Sequence, residues 1–257
     1  MTAAHKSFYK DNLRVEIFNK TEDMGKASAD FVAAKLEEAI NKKGNANLIL
    51  GTGASQYPFL NVLLSKDLDW NKINLFHLDE YIGLSDRHPA SFRRFLKERV
   101  ADKVNPGNVY YLNGDADDID AEISRYERLL KENPVDVACI GIGENGHIAF
   151  NDPAVADFND PAYLKVVEMD IACRKQQVGE GWFPTIDDVP KEAVTLTITA
   201  IMDCAALSCS VPDERKSEAV YNTLSGEVAT SCPASVMRQH KEAVLFLDMF
   251  SALKIKT

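Results

Sequence analysis

Val135-Asp136-Val137-Ala138-Cys139-Ile140-Gly141-Ile142-Gly143-Glu144-Asn145-Gly146-His147 is the stretch on which the reading of the fold turns. From 135 to 142 it is apolar almost throughout, which fits a strand covered on both faces and so one near the middle of a sheet. Glycines and polar groups then follow at once. A parallel sheet gathers its ligands beyond the carboxyl ends of its strands, so this junction is where chemistry is expected.

Working outward, the pattern alternates between strand and helix. Residues 13–18 alternate apolar with polar side chains, and Met24, Ala27, Phe31, Val32, Leu36, Ala39 and Ile40 recur at helical spacing, with Thr21, Glu22 and Asp23 as the entry. Residues 47–50 form an apolar run ending at Gly51, and Pro58 opens the next helix, where a missing donor costs little. Further strands are expected at 73–78, 109–112, 165–168, 194–198, 207–211 and 244–247. Helices are marked by Phe92, Phe95, Leu96 and Val100, and by Ile119, Ile123, Tyr126, Leu129 and Leu130. Alternation of this kind requires crossover connections. The expectation is a single-domain α/β fold over residues 1–257: a Rossmann-like, doubly wound, mostly parallel sheet with helices on both faces.

Composition narrows the partners. The chain carries 29 basic and 39 acidic residues, net −10, with no long basic patch, so neither nucleic acid nor an anionic membrane is expected to bind it. No apolar run approaches the length of a membrane span, and the opening Met1-Thr2-Ala3-Ala4-His5-Lys6 leads into a polar stretch, not a signal core. Five cysteines without a CxxC pair fit reduced thiols, hence a cytoplasmic location, better than a disulfide frame or a zinc site.

Three strand ends carry unusual residues. Leu50-Gly51-Thr52-Gly53-Ala54-Ser55 joins a strand to a helix with small residues and hydroxyls that suit a phosphate, or simply form a tight turn. Phe76-His77-Leu78-Asp79-Glu80-Tyr81 sets two carboxylates at the end of an apolar run; they belong to an exposed acidic turn or to a site. Neighbours on a strand point to opposite faces, so Asp79 and Glu80 should have different tasks. The third is the glycine-rich loop after 142, where Asn145, His147 and Asp152 supply an amide, an imidazole and a carboxylate. A histidine whose tautomer is fixed by a carboxylate can shuttle protons, and the functional reading is preferred here.

At these residues the sequence resembles the glucosamine-6-phosphate deaminase family, within the wider group that includes 6-phosphogluconolactonase. The matching segments are LDEYIGLSDRHPASF at 78–92, GIGENGHIAFNDP at 141–153 and VPKEAVTLTI at 189–198. The lactonase branch shows Asp-Glu-Arg and Gly-His-Thr where this chain has Asp79-Glu80-Tyr81 and Gly146-His147-Ile148, and both differences point to the deaminase branch.

The resemblance implies a deaminating aldose–ketose isomerase that converts glucosamine 6-phosphate, or a close amino-sugar phosphate such as galactosamine 6-phosphate, to fructose 6-phosphate and ammonia. Asp79 would move the proton between C2 and C1. His147 would open the sugar ring, oriented by Asp152, and Asn145 occupies the fourth catalytic position. Thr52, Gly53, Ala54, Ser55, Glu80, Gly146, Arg174 and Lys216 would hold the substrate and its phosphate; Gln177 is a substitute for Arg174, and a surface lysine is the alternative for Lys216. No cofactor and no metal is implied. Asp152 departs from the usual glutamate by one methylene. The rival readings are a sugar-phosphate lactonase and a non-catalytic sugar-phosphate sensor. Homo-oligomerisation stays open, and segment 154–160 departs from the regulated type, so weak or absent regulation is expected.

Overall fold

The computed structural model describes residues 3–255; Met1 and Thr2 of the polar opening lie outside them. The strands are β1 Lys6–Lys10, β2 Leu13–Phe18, β3 Ala46–Leu50, β4 Ile73–His77, β5 Asp79–Tyr81, β6 Asn108–Val109, β7 Val137–Ile140, β8 Leu164–Glu168, β9 Glu192–Leu196, β10 Ala206–Val211 and β11 Ala243–Asp248. Eight of them form one sheet in the order β1-β2-β11-β10-β7-β3-β4-β6, parallel except for β1 at the edge. The remaining three, β5-β9-β8, make a small antiparallel sheet.

Both faces of the large sheet are covered, as the apolar run in β7 requires. In β3, Leu48 and Leu50 pack with Val32 and Leu36 of the helix Thr21–Lys43, while Ile49 packs on the other side with Tyr126 and Leu130 of the helix Ile119–Glu132. β7 divides its residues the same way, Val137 and Cys139 against Ala138 and Ile140. Each fully buried aliphatic side chain of this kind contributes about 1.5–3 kcal/mol. The expected single-domain, doubly wound α/β architecture is the one observed.

The winding reverses between two central strands. From β3 the chain proceeds to β4 and β6 on one side; β7 then lies on the opposite side of β3, and β10 and β11 continue outward from it. The loops leaving β3 and β7 therefore diverge, and a crevice opens between them.

Four local differences from the sequence expectations have physical causes. The strand expected at 73–78 ends at His77, and the chain crosses at Leu78, whose carbonyl accepts from Leu196 N at 2.8 Å, into β5 of the second sheet. The strand expected at 109–112 pairs only over β6, because Leu112 N donates to the His77 ring at 2.8 Å instead of to a ladder partner. The strand expected at 194–198 stops at Leu196; the Thr197 hydroxyl accepts from Ala200 N and caps a short helix, Ile198–Met202. Finally, Lys20 occupies the helix entry expected at Thr21–Asp23, and the Thr21 hydroxyl donates to Asp248 at 2.8 Å.

Candidate active site

The crevice at the reversal is a cavity of about 360 Å³, within the ordinary range for a small-molecule site. Gly51 to Ser55 after β3, Asp79 opening β5, Gly141 to Gly143 after β7 and Lys216 beyond β10 line it, together with His147, Gln177 and Trp182. Of the residues named from sequence, Thr52, Gly53, Ala54, Ser55, Asp79, His147, Gln177 and Lys216 converge here.

Asp79 and Glu80 are both buried, so they do not form an exposed acidic turn. Asp79 faces the cavity and Glu80 faces away, as strand alternation requires. Burial, aided by the Glu80 charge, raises the Asp79 carboxyl well above the ordinary carboxylate range. A carboxylate so placed is a stronger base than one in water. The strand end is fixed by His77, whose Nδ1 lies 2.9 Å from the Asp79 carbonyl. Because His77 Nε2 accepts from Leu112 N, Nδ1 carries the proton and donates.

Glu80 corrects its expected role in substrate binding. It accepts from the Ser91 hydroxyl at 2.8 Å and from the backbone N–H groups of Tyr81, Phe92 and Arg93, and it pairs with the Arg93 guanidinium at 3.4 Å. With its acceptor sites filled by the fold, it anchors the segment that carries Asp79.

His147 lies flat against Gly143: a Cβ on that glycine would fall 2.2 Å from the imidazole. On its inner side His147 Nδ1 is 2.9 Å from Asp152 Oδ1, off the line of a well-formed N–H···O bond. Asp152 therefore reaches the ring despite its shorter side chain. It is held by Asn145 Nδ2 at 2.8 Å and Asp170 N at 3.3 Å. Burial alone would raise the Asp152 carboxyl, but His147 and these donors outweigh it and hold it below the usual range. Asn145 also accepts from His147 N, so it braces both members of the pair from behind the cavity wall.

Two further expectations are corrected. Gly146 does not line the cavity; it turns the loop at φ 87°, and a side chain there would meet Cys232 Sγ at 2.9 Å. Arg174 does not line it either, since its Nη2 donates to the carbonyls of Ile186 and Val189 and closes the turn below. Gln177, one turn along the same helix, Ile171–Gly179, does face the cavity.

Lys216 is 6% exposed and is not a surface lysine. It stands at the N-cap of the helix Ser217–Ser225, and among the described residues it has no carboxylate within ion-pair distance. Burial lowers its pKa, partly offset by the Glu180 and Glu144 charges. An uncompensated buried ammonium beside the Thr52–Ser55 hydroxyls is a place for an anion.

His147, Asp152 and Cys173 bring three ligand-type atoms within 4.8 Å. A metal would need the Cys173 thiolate, and burial pushes that thiol far up, so the set does not favour an ion.

Residues 19–246 match the family model for glucosamine-6-phosphate isomerases/6-phosphogluconolactonase. The chain belongs to this family. A glucosamine-6-phosphate deaminase of Streptococcus suis is 31% identical over 95% of this chain and the whole of its own length. One from Oenococcus oeni is 30% identical, over 93% and 98% of the two chains. Among solved structures, a monomeric glucosamine-6-phosphate deaminase superposes with a TM-score of 0.84 at 29% identity, covering 93% of this chain and 98% of that one. A 6-phosphogluconolactonase from Shewanella baltica shares the fold at TM-score 0.76 and 19% identity. No helix among the described residues is long and apolar enough to cross a membrane.

Gln177, named as the substitute for Arg174, is the one of the two that reaches the cavity, whereas the Gly143 packing escaped the sequence reading. The three glycines signalled freedom of the backbone, but nothing in their spacing showed which one supports the imidazole.

Proposed function

We propose that this chain is a glucosamine-6-phosphate deaminase working in the cytoplasm as one domain, residues 1–257, without cofactor or metal. The observation that carries the reading is the convergence, in one cavity, of a base-strengthened carboxylate, a carboxylate-backed imidazole and a buried lysine with no carboxylate partner among the described residues.

Each group has a task that follows from its surroundings. Lys216, with Thr52, Gly53, Ala54 and Ser55, holds the phosphate and so fixes the sugar along the cavity. His147 exchanges a proton with the ring oxygen and the C1 hydroxyl as the hemiacetal opens; Asp152 and Asn145 keep it in place. Asp79 removes the C2 proton and returns it to C1, which converts the open-chain 2-amino aldose to a 2-imino ketose. Water adds to C2, the C–N bond breaks, and ammonia and fructose 6-phosphate result. A sugar-phosphate sensor would need the anion site alone, and the buried Asp79 carboxylate would then be an unrewarded cost.

The test is direct. Purified protein with glucosamine 6-phosphate should release ammonia and fructose 6-phosphate in equal amounts, whereas release from galactosamine 6-phosphate alone would move the substrate assignment. Asp79→Asn should lower turnover by ~10²–10⁴-fold with binding nearly intact. Solvent deuterium entering C1 of fructose 6-phosphate at the normal rate in that variant would remove Asp79 from the mechanism.

A further inference from the structure

The segment 189–198 carries the third match to the family, yet none of its residues lines the cavity. Its contribution lies one layer behind. Thr195 of β9 is the cross-strand partner of Asp79, and partners in an antiparallel pair project from the same face about 5 Å apart. Asp79 takes the open part of that face, whereas Thr195 is fully buried beneath the turn that follows His147.

The Thr195 hydroxyl accepts from Phe150 N at 3.1 Å and donates to the Leu196 carbonyl at 3.1 Å. That carbonyl also accepts from Asn151 Nδ2 at 2.8 Å, and Leu196 N donates to the Leu78 carbonyl at 2.8 Å. Residues 195 and 196 therefore grip two structures at once. Their backbone holds the Leu78–Asp79 crossing, and hydrogen bonds that use the Thr195 and Asn151 side chains hold the turn Ile148–Asn151.

The turn needs that grip. Asn151 N closes it on the Ile148 carbonyl at 3.2 Å, with Ala149 in its second position at φ 51°. This is the left-handed region, where an L side chain crowds its own carbonyl and glycine is the residue at ease. Ala149 lines the cavity two residues after His147. A strained residue keeps its conformation where its surroundings over-determine it, and the bonds from Thr195 and Asn151 do so here. Without them the turn relaxes, and the loop that seats His147 against Gly143 and Asp152 shifts with it.

We propose that Thr195 is a positioning residue for the acid–base pair: its backbone fixes Asp79, and its hydroxyl holds the strained turn that keeps His147 in register with that carboxylate. The inference rests on the reading of Asp79 and His147 as the acid–base groups of a deaminase. The two reach the cavity from different sheets, and Thr195 joins their supports.

The experiment follows deamination of glucosamine 6-phosphate, solvent deuterium entering C1 of fructose 6-phosphate, and calorimetric binding of inorganic phosphate. Thr195→Val keeps the shape and the β9 pairing but removes the hydroxyl. It should lower kcat for deamination about 10²-fold, as a displacement of about 1 Å does, with KM and phosphate binding near wild type. Exchange at C1 should fall much less, since it draws on Asp79 and on open-chain ketose that needs no ring opening. Thr195→Ser restores the hydroxyl and should restore turnover. Ala149→Gly should return much of the lost activity to Thr195→Val, because glycine holds φ 51° without the clamp. Full kcat in a folded Thr195→Val variant would overturn the proposal. Equal losses in deamination and exchange would do the same, as would a defect that Ala149→Gly leaves untouched. A wild type that released no ammonia from glucosamine 6-phosphate would instead overturn the reading of the site, and the role of Thr195 with it.

Discussion

Gly143 supports His147 through the absence of a side chain. An added methyl would lie 2.2–2.4 Å from three atoms of the imidazole, so the ring must move if Gly143 becomes Ala. Displacement by about 1 Å is enough to cost ~10²-fold in rate. Gly143→Ala should therefore lower kcat by about that factor while the phosphate affinity, set elsewhere, stays near wild type; equal losses in both would show a wider collapse. Glu80 offers the opposite signature. Breaking its buried pair with Arg93 by Glu80→Ala should cost about 3–5 kcal/mol of stability, read from urea unfolding. A variant of wild-type stability would return Glu80 to the list of substrate ligands. Asp79 and His147 stood out in sequence because their residue types are chemically unusual at strand ends, whereas Lys216 was singled out only by the family resemblance. Glu80, Gly146 and Arg174 were misread for one reason: each is polar or flexible next to the site, but its hydrogen bonds or close contacts are spent inside the fold. Only the folded chain shows where a bond is spent.

The strand β4 carries a titration of its own. Burial lowers the His77 pKa from 6.5 to about 4, and its ring stays neutral to bridge Leu112 N and the Asp79 carbonyl. Between those two values the unfolded chain binds a proton that the folded chain refuses, so this contribution is full above pH 6.5 and is lost as pH falls toward 4. The interval corresponds to about 3 kcal/mol. Wild type should lose roughly that much more stability than His77→Gln between pH 7 and pH 4; parallel curves would show that His77 is protonated in the fold. The apolar strands were easy to read, because a doubly covered strand leaves few polar positions. The edge strand β1, with Lys6 and Lys10 at its ends, escaped notice since one exposed side removes that signal. β5 escaped because it continues β4 in sequence, and only its pairing with β9 reveals a second sheet.

Over the whole molecule, the reversal between β3 and β7 does for this chain what no single motif does. It brings the Gly51–Ser55 turn and the histidine loop to adjacent strand ends, while β5 presents Asp79 from a different sheet. This arrangement also has a consequence in time. The cavity is assembled from strand ends near positions 50, 77, 140 and 211, and Asp79 takes its place only when it pairs with Thr195. Contacts so distant in sequence form slowly, and the entropy of closing those loops must be overcome before any of them is rewarded. A refolding chain would regain its helices first and its deaminase activity last. During synthesis, a nascent chain ending before β10 would carry the histidine loop but neither Lys216 nor the neighbour that completes the sheet around β7. On the proposed roles such a chain has the histidine loop and the Thr52–Ser55 turn but not the lysine that completes the phosphate site, so activity waits until nearly all of the chain has been made.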